Sequence, residues 1–362
     1  MRTMIVTGGT GAIGAAVVGR LAAEPVVDRI AVLTRAPSGA RQQRLLQSWN
    51  AGDRVPVVFL HGKLPELVEA GATLRADLTH IVHLAADTRF SAAPEESRAA
   101  NVCGTAAVLD YARTCPRLAA MTVASTVYVA GLRSGAIRER ELEHGAGFAN
   151  NYEASKHEME VLVRAAMGDL PLSVCRLSTA IGEDGTGEVT SLNAFHTALR
   201  LMYGGLVPMI PGADDTPIDV ISTGFAAQAL RRLATEAFRP GETYHVCAGS
   251  DAPTLGAVLD AAMRTMRARR PAWRKRAIAM PVLADEPTYE LFVRSVHESG
   301  DAMMAAATRA VESFARQLTR PKIFDTANAV GALGDAWHRP DSLGLCEDVV
   351  RYCVENEWKA AA

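Results

Sequence analysis

The stretch Thr7-Gly8-Gly9-Thr10-Gly11-Ala12-Ile13-Gly14 decides the fold, because it joins an apolar strand to an alanine-rich helix. Glycines at such a junction permit a tight turn, let the backbone approach a pyrophosphate and let the helix pack closely on the strand. A glycine-rich string alone also occurs in simple turns. Here strand, turn and helix follow in the order that a dinucleotide-binding loop requires, so we interpret the stretch as such a loop.

Short apolar runs alternate with helical segments over the first 250 residues, and residues 254–318 have a mainly helical composition. The alternation predicts an α/β fold, because runs that stay apolar throughout are typical of parallel strands buried on both faces. We predict a Rossmann-type doubly wound parallel sheet formed by 1–185 and 217–250, with a smaller, mostly helical C-terminal substrate domain formed by 186–216 and 251–362. The predicted strands are 4–7, 29–34, 55–60, 80–84, 120–124, 172–177 and 243–248.

The composition of the 362 residues excludes several classes of function. With 38 Lys+Arg and 40 Asp+Glu the net charge is −2, so no overall field attracts nucleic acid or an anionic membrane. Neither a signal-peptide pattern nor a membrane-length apolar run is visible, and we expect a cytoplasmic protein. The six cysteines lack CxxC spacing, which predicts buried reduced thiols rather than a metal site or disulfides.

The end of the second strand bears on the choice of cofactor. About twenty residues after a glycine loop, enzymes that use NAD place an acid that binds the ribose hydroxyls. This chain has Thr34 and Arg35 there. Because a guanidinium forms charge-assisted hydrogen bonds with a 2′-phosphate, these residues predict NADPH. The alternative is that Arg35 is a solvated charge at a strand end.

Tyr152 and Lys156 lie four residues apart in Tyr-Glu-Ala-Ser-Lys, hence on one face of a helix. A phenol with a pKa near ~10 is a poor acid at neutral pH, whereas a neighbouring cation stabilises its phenolate and lowers that pKa. Tyr152 can then give its proton to a carbonyl oxygen as a hydride arrives. Chance pairs of this kind are frequent, and this one gains meaning because it follows a glycine loop and a strand that ends in hydroxyls.

That strand ends in Ser125 and Thr126, followed by Tyr128. Catalytic groups sit at the ligand-side ends of strands in such sheets, and a hydroxyl there can polarise a substrate carbonyl. Ser125 is more readily interpreted as a cap or turn residue, so we favour Thr126 as the catalytic hydroxyl.

Six motifs together resemble those of the extended short-chain dehydrogenases. The pattern His-Leu-Ala-Ala followed by Phe90, and a Ser-Thr pair before an aromatic residue, resemble more narrowly the thioester reductase and fatty acyl-CoA reductase branch. That branch includes the terminal reductase domains of carboxylic acid reductases and of non-ribosomal peptide and polyketide synthases. The resemblance covers residues 3 to about 250. The motifs are TGGTGAIG at 7–14, HLAADTRF at 83–90, NVCGT at 101–105, ASTVYVAG at 124–131, NNYEASK at 150–156 and RLSTAIG at 176–182.

The resemblance implies a role for each matching residue. It implies that the glycine loop binds the pyrophosphate, that Arg35 binds the 2′-phosphate and that Asn101 lies beside the active site. It also makes Thr126, rather than Ser125, the catalytic hydroxyl. One position departs from the family, because Lys63 in the sequence HGKL replaces an acid expected near the adenine. An additional cation there is compatible with a phosphorylated cofactor.

The predicted site has three parts, and no metal is expected. The catalytic residues are Thr126, Tyr152 and Lys156. The substrate contacts are Thr88, Phe90, Ser125 and Tyr128. The residues predicted to bind NADPH are Thr7, Gly8, Thr10, Gly11, Ala12, Ile13, Gly14, Thr34, Arg35, Lys63, Leu84, Ala85, Ala86, Asn101, Tyr152, Lys156, Leu177 and Ser178.

A cluster of cations occupies 264–276, around Trp273. Such a patch can dock an acidic acyl carrier protein or the phosphates of coenzyme A. The simpler interpretation is a solvated helical face, because charge runs usually serve solubility. The cations are Arg264, Arg267, Arg269, Arg270, Arg274, Lys275 and Arg276.

The leading hypothesis is an enzyme that reduces an acyl thioester, bound to a carrier protein or coenzyme A, to an aldehyde or alcohol. The same three catalytic residues also serve reduction of a free ketone or aldehyde, or conversion of a sugar nucleotide or steroid-like alcohol. A third hypothesis, from another class, is a non-catalytic NADP(H)-binding regulatory protein.

Overall fold

A computed structural model of the chain describes residues 1–35, 39–51, 54–269, 278–338 and 340–361, apart from the side chain of Ser313. Its strands are β1 (Thr3–Thr7), β2 (Arg29–Thr34), β3 (Val57–His61), β4 (Leu78–His83), β5 (Ala120–Thr126), β6 (Gly135–Ile137), β7 (Leu172–Leu177), β8 (Thr179–Gly182), β9 (Met209–Pro211), β10 (Val220–Ser222), β11 (Thr243–Val246), β12 (Val282–Ala284) and β13 (Lys322–Phe324). Its helices are α1 (Ala12–Ala23), α2 (Ala40–Asn50), α3 (Leu67–Ala70), α4 (Pro94–Arg98), α5 (Gly104–Arg113), α6 (Asn151–Ala165), α7 (Ala194–Tyr203), α8 (Thr223–Leu233), α9 (Leu255–Arg269), α10 (Glu286–Ser299), α11 (Ala302–Leu318), α12 (Ala327–Leu333) and α13 (Ser342–Glu355).

Seven parallel strands form the central sheet in the order β11-β7-β5-β4-β1-β2-β3. This arrangement confirms the predicted doubly wound fold. The order reverses between β1 and β4, and in such sheets ligands bind at the carboxyl ends of the strands around this reversal. The glycine loop after β1 and the hydroxyl pair at the end of β5 therefore share one edge of the sheet.

Each face of the sheet carries its own apolar core. Met4 and Val6 of β1 pack with α1 and α8 on one face, whereas Ile5 packs with α5 and α6 on the other. All three side chains are fully buried. Burial of a Val or Ile side chain stabilises the fold by about 1.5–3 kcal/mol, which explains why these strands remain apolar without alternation.

The remaining elements form a third core and three small sheets. Helices α7, α9 and α13 enclose Leu199, Met263 and Val350. Strands β6 and β13, β8 and β10, and β9 and β12 pair two by two. Ala329 of α12 returns to the core on the α1 face of the central sheet, far along the chain from its other members. The boundaries of the two domains stay a prediction.

Two sequence-based expectations concern single features. Five of the six cysteines are buried as predicted, but Cys103 is exposed. Cys103 ends the π-helical turn Ala99–Cys103 and lies on its exposed side, whereas Asn101 and Val102 of the same turn are buried. None of the described helices combines the length and apolar character needed to cross a membrane.

Candidate active site

The loop between β1 and α1 forms a cradle that only glycine fits. Gly8 has a φ of +72°, and an added Cβ would lie 2.6 Å from the backbone nitrogen of Ala85. A Cβ on Gly14 would overlap the carbonyl oxygen of Gly8. No side chain caps the start of α1 at Gly11, so the first N–H groups of the helix keep their capacity to bind an anion. These features fit the pyrophosphate of a dinucleotide.

A series of buried hydrogen bonds connects the first residue of this loop, Thr7, to β4 and α5. The Thr105 hydroxyl donates to the carbonyl of Asn101 (2.6 Å) and therefore accepts from Nε2–H of His83 (2.9 Å). This leaves Nδ1 of His83 to accept from the hydroxyl of Thr7 (2.6 Å). Burial, reinforced by the nearby Lys156 charge, lowers the pKa of His83 to about 3. The imidazole is thus neutral and fixed between β1, β4 and α5.

Asn101 lies in a π-helical turn, Ala99–Cys103, that joins α4 to α5. Its Nδ2 donates to Ser155 Oγ of α6 (2.8 Å) and to the carbonyl of Asp87 (3.0 Å), and its Oδ1 accepts from the backbone N–H of Asp87 (2.8 Å). Ser155 in turn donates to the carbonyl of Tyr152 (2.9 Å). Asn101 therefore connects the loop after β4 to the helix that carries Tyr152. Extra residues in π turns recur at functional sites.

Thr126 and Tyr152 meet at the carboxyl end of β5. The Thr126 hydroxyl forms a hydrogen bond with the phenol, which opposes the effect of burial on the tyrosine. Burial is the larger influence and raises the pKa of Tyr152 above its ordinary value. The ring of Phe90 lies 5.6 Å from the ring of Tyr152, between centroids, and forms an apolar wall beside it.

Lys156 lies one turn further along α6 and is almost fully buried. Its Nζ donates to the carbonyl of Ala124 (2.8 Å) and lies 3.2 Å from Sδ of Met159. Burial lowers the pKa of Lys156 to about 8, against the attraction of Glu160. The prediction that the Lys156 ammonium lowers the pKa of Tyr152 is wrong for this arrangement, because burial is the largest influence and raises that pKa.

Ser125 points away from Thr126, into the core. Its hydroxyl donates to Oε2 of Glu160 (3.0 Å), whose Oε1 also accepts from Nη2 of the buried Arg176 (2.6 Å). The structure thus places Ser125 in a buried polar network, because neighbouring residues of a strand project to opposite faces. The Ser125 hydroxyl, which was predicted to contact substrate, is instead hydrogen-bonded to Glu160.

The other residues predicted to contact cofactor or substrate differ in how far they are buried. Ser178 is buried and donates to the carbonyl of Asp219 (2.7 Å). The Tyr128 hydroxyl accepts from Thr179 Oγ1 (3.4 Å). Leu177 is buried in the core, Ala86 and Thr88 are exposed, and the remaining apolar and hydroxyl positions are half-buried. These half-buried positions are Thr10, Ala12, Ile13, Leu84 and Ala85.

The cations predicted to bind the 2′-phosphate, Arg35 and Lys63, are exposed. Arg35 follows β2 and acts electrostatically on the carboxylate of Asp87, whose pKa is lowered mainly by hydrogen bonds from Arg89. Thr34 is buried and its Oγ1 accepts from Gln42 Nε2 (2.7 Å). Lys63 follows β3, with its Nζ 4.0 Å from Glu66 Oε1.

Two further arginines, which were not predicted, lie beside the start of α1. Arg41 and Arg44 of α2 line a cavity of about 260 Å³ together with Ala12 and Ala15 of α1. Their i, i+3 spacing puts both guanidinium groups on one helix face. That spacing, on the helix that follows β2, is the sequence signal that marks these two cations.

The basic patch is only partly within the described residues. Arg264 pairs with Glu347 (3.1 Å) and Arg269 with Glu355 (3.4 Å), both on α13. Residues 270–276 lie outside the described part of the chain. Within the described ranges, no group of three His, Cys, Asp or Glu side chains is arranged to hold a metal ion.

Comparison with known proteins finds one matching family model. The model of an NAD-binding family, described as "Male sterility protein", matches residues 67–230. No curated protein sequence matches the chain significantly.

Several solved structures share the fold. The terminal R domain from the myxalamid PKS-NRPS biosynthetic pathway superposes with a TM-score of 0.75 at 22% identity, over 100% of this chain and 93% of that one. The reductase (R) domain of a nonribosomal peptide synthetase from Mycobacterium tuberculosis gives 0.69 at 20% identity, over 99% and 93%. UDP-glucuronic acid 4-epimerase from Bacillus cereus, in complex with NAD, gives 0.66 at 16% identity, over 99% and 100%. The chain is therefore similar to the male sterility family over residues 67–230, and it has the fold that these reductase domains share with the epimerase.

Proposed function

We propose that this protein reduces an acyl thioester, bound to a carrier protein or to coenzyme A, to an aldehyde or alcohol with NADPH. The observation that carries the proposal is the meeting of Thr126 and Tyr152, with Lys156 one turn away, at the sheet edge that also holds the glycine cradle. A complete set of this kind has no use in a protein that only binds the cofactor.

The reaction divides between the cofactor and the chain. NADPH, when bound, supplies the hydride that reaches the carbonyl carbon. Thr126 and Tyr152 then stabilise the negative charge that develops on the carbonyl oxygen, and Tyr152 can supply its proton. Collapse of the tetrahedral adduct re-forms the carbonyl, returns the hydroxyl proton to the phenolate of Tyr152 and breaks the carbon–sulfur bond. The expelled thiolate takes up a proton from solvent, and the aldehyde is left. Further reduction to an alcohol consumes the hydride of a second NADPH. With thiol pKa values near ~8.5, a thiolate leaves far more readily than hydroxide.

The cations around the glycine loop favour NADPH over NADH as the cofactor. Arg35 and Lys63 stand at the ends of β2 and β3, and Arg41 and Arg44 line the cavity beside α1. A 2′-phosphate gains charge-assisted hydrogen bonds from such groups.

The similarity to reductase domains of peptide and polyketide synthases supports a thioester substrate, and the similarity to a sugar-nucleotide epimerase supports the alternative of a hydroxyl or ketone on a sugar nucleotide. The deciding experiment follows NADPH oxidation by the purified protein with acyl-coenzyme A thioesters, carrier-bound thioesters, free aldehydes and ketones, and sugar nucleotides. We expect aldehyde and free thiol to appear together from a thioester. Turnover of free carbonyls or sugar nucleotides alone would overturn the thioester assignment.

A further inference from the structure

Glu153, the residue after Tyr152, is a buried carboxylate in the first turn of α6. Its Oε2 accepts from the backbone N–H of Ala149 (2.9 Å), and its Oε1 accepts from Asn150 Nδ2 (3.0 Å). Asn150 caps the helix by accepting from the backbone N–H of Glu153 (3.0 Å). The side chain is 2% exposed, so its charge is shielded from solvent. This carboxylate fixes the turn that presents Tyr152.

The third partner of Glu153 comes from the C-terminal part of the chain. Gln317, near the end of α11, donates from Nε2 to Oε2 of Glu153 (2.9 Å) and more weakly to the carbonyl of Gly131 (3.4 Å). Gly131 ends the short helical turn that follows Thr126. One amide therefore touches both the helix that carries Tyr152 and the segment that follows the catalytic hydroxyl.

The oxygen of the same amide accepts from a buried lysine. Lys322 of β13 is 7% exposed and donates from Nζ to Oε1 of Gln317 (2.5 Å) and to the carbonyl of Arg320 (3.0 Å). Gln317 is thus a neutral relay between a buried cation and a buried carboxylate. A contact made only for packing between α11 and α6 would be served by apolar side chains at lower desolvation cost.

The charges around this relay are mutually dependent. Burial raises the pKa of Glu153 to about 6, against the hydrogen bonds from Ala149 and Gln317 and the charge of Lys322. Burial also lowers the pKa of Lys322 to about 8, and Arg320 lowers it further. Arg320 is itself paired with Glu286 (2.8 Å). The negative charge of Glu153 raises the pKa of Tyr152 and of Tyr128.

We infer that Gln317 is a positioning residue: it relays the charge of Lys322 to Glu153 and thereby sets both the geometry of the first turn of α6 and the charge beside Tyr152. The C-terminal part of the chain, which is expected to hold the substrate, is in this way connected to the proton donor. The inference rests on the catalytic role proposed for Tyr152.

The test compares Gln317→Leu and Glu153→Gln with the wild type. Three quantities are measured for each protein: kcat as a function of pH between 5 and 8, KM for NADPH, and thermal stability. We expect a step in the wild-type kcat profile near pH 6 that Glu153→Gln abolishes. Gln317→Leu should move the step upward by about one pH unit, since a hydrogen bond to a charged group contributes about that much. It should also lower kcat about tenfold, with an unchanged KM for NADPH. Arg309→Leu, on the exposed side of the same helix, is the matched control.

The double variant Glu153→Gln, Gln317→Glu exchanges the carboxylate and the amide. It restores the hydrogen bond and places a carboxylate next to Lys322, so kcat should recover to within about threefold of wild type. If Gln317→Leu does not fold, Lys322→Met leaves the amide in place and should move the step in the same direction. An unmoved step in a folded variant would overturn the inference. Survival of activity in Tyr152→Phe would instead overturn the proposed function, so the two failures are distinguishable.

Discussion

Burial raises the pKa of Tyr152, and Thr126 is the neighbour whose hydrogen bond opposes this. Lys156 is held by the carbonyl of Ala124 rather than by the phenol. A raised pKa keeps the phenol protonated throughout the neutral range, but it also makes the phenol a weaker acid toward a carbonyl oxygen. At the level of single residues, the hydrogen bond from Thr126 is therefore the contact that favours proton release by Tyr152 against the effect of burial.

Replacement of Tyr152 by Phe removes the proton donor and leaves the ring that packs on Phe90. We expect unchanged folding and NADPH binding with a kcat reduced roughly a hundredfold to ten-thousandfold, the range typical of a lost general acid. Steady-state kinetics and a fluorescence titration with NADPH measure both quantities. Tyr352→Phe on α13 is the control, and activity within about tenfold of wild type in Tyr152→Phe would exclude the assigned role.

Replacement of Arg35 tests the choice of cofactor. If its guanidinium binds the 2′-phosphate, Arg35→Ala should weaken NADPH binding roughly tenfold to a hundredfold, because hydrogen bonds to charged groups contribute about 1.5–3 kcal/mol. Lys63 lies at the next strand end and can mask part of the loss. Titration of NADPH and NADH against the Arg35→Asp, Lys63→Asp double variant removes this compensation. An unaltered preference between the two cofactors would show that neither cation contacts the phosphate.

At the scale of an element, two glycines of α1 should respond to alanine in opposite ways. A Cβ on Gly14 would overlap Gly8, so Gly14→Ala must displace the loop and should abolish NADPH binding. A Cβ on Gly19 would lie 3.7 Å from Cδ1 of Trp49, an ordinary contact. Gly19→Ala should therefore stabilise the protein by about 0.5–1 kcal/mol, because alanine favours the helix. Thermal unfolding and NADPH titration of both variants test this prediction. Equal losses of NADPH affinity in Gly14→Ala and Gly19→Ala would contradict the geometry of the glycine loop.

The elements that the sequence predicted are those specified by local pattern. The seven strands of the central sheet and the glycine loop follow from apolar runs and from the residues that interrupt them. The three small sheets were not predicted, because each pairs strands of three or four residues that are distant in the chain, such as β6 and β13. The inward orientation of Ser125 could have been predicted from the sequence. Successive side chains of a strand project to opposite faces, so Ser125 and Thr126 cannot both face the substrate.

At the scale of the whole molecule, buried hydrogen bonds connect the C-terminal part of the chain to the central sheet. The residues that form these hydrogen bonds belong to no recognisable sequence motif. The carboxylate of Glu139 accepts from the backbone N–H groups of His245 (2.9 Å) and Ala329 (3.1 Å), which belong to β11 and α12. These partners lie 106 and 190 residues away along the chain. Glutamate and histidine are common surface residues, so the sequence does not predict that Glu139 and His245 are buried. Only the tertiary structure shows that they form internal hydrogen bonds.

His245 makes this connection sensitive to acid. Nη1 of Arg176 donates to Nε2 of His245 (3.1 Å), so this nitrogen must be unprotonated, and Nδ1–H donates to the carbonyl of Asp325 (2.8 Å). Burial, with the charge of Arg176, lowers the pKa of His245 to about 3. A group whose pKa is lowered in the folded state contributes stability above its unfolded pKa of about 6.5, and that stability is lost as the pH falls toward the folded value.

The corresponding prediction concerns the free energy of unfolding of wild type and His245→Gln, measured with denaturant from pH 7.5 to 4.5. Glutamine can accept from Arg176 and donate to Asp325 without titrating, so the variant lacks this one proton uptake on unfolding. Below pH 6.5 the wild type should lose about 1.4 kcal/mol per pH unit more than the variant, because the unfolded imidazole binds a proton that the folded one does not. Buried carboxylates with raised pKa values, such as Glu139 and Asp219, act in the opposite direction but equally in both proteins. The difference between the two curves therefore isolates His245, and parallel curves would mean that the imidazole takes up its proton without leaving the fold.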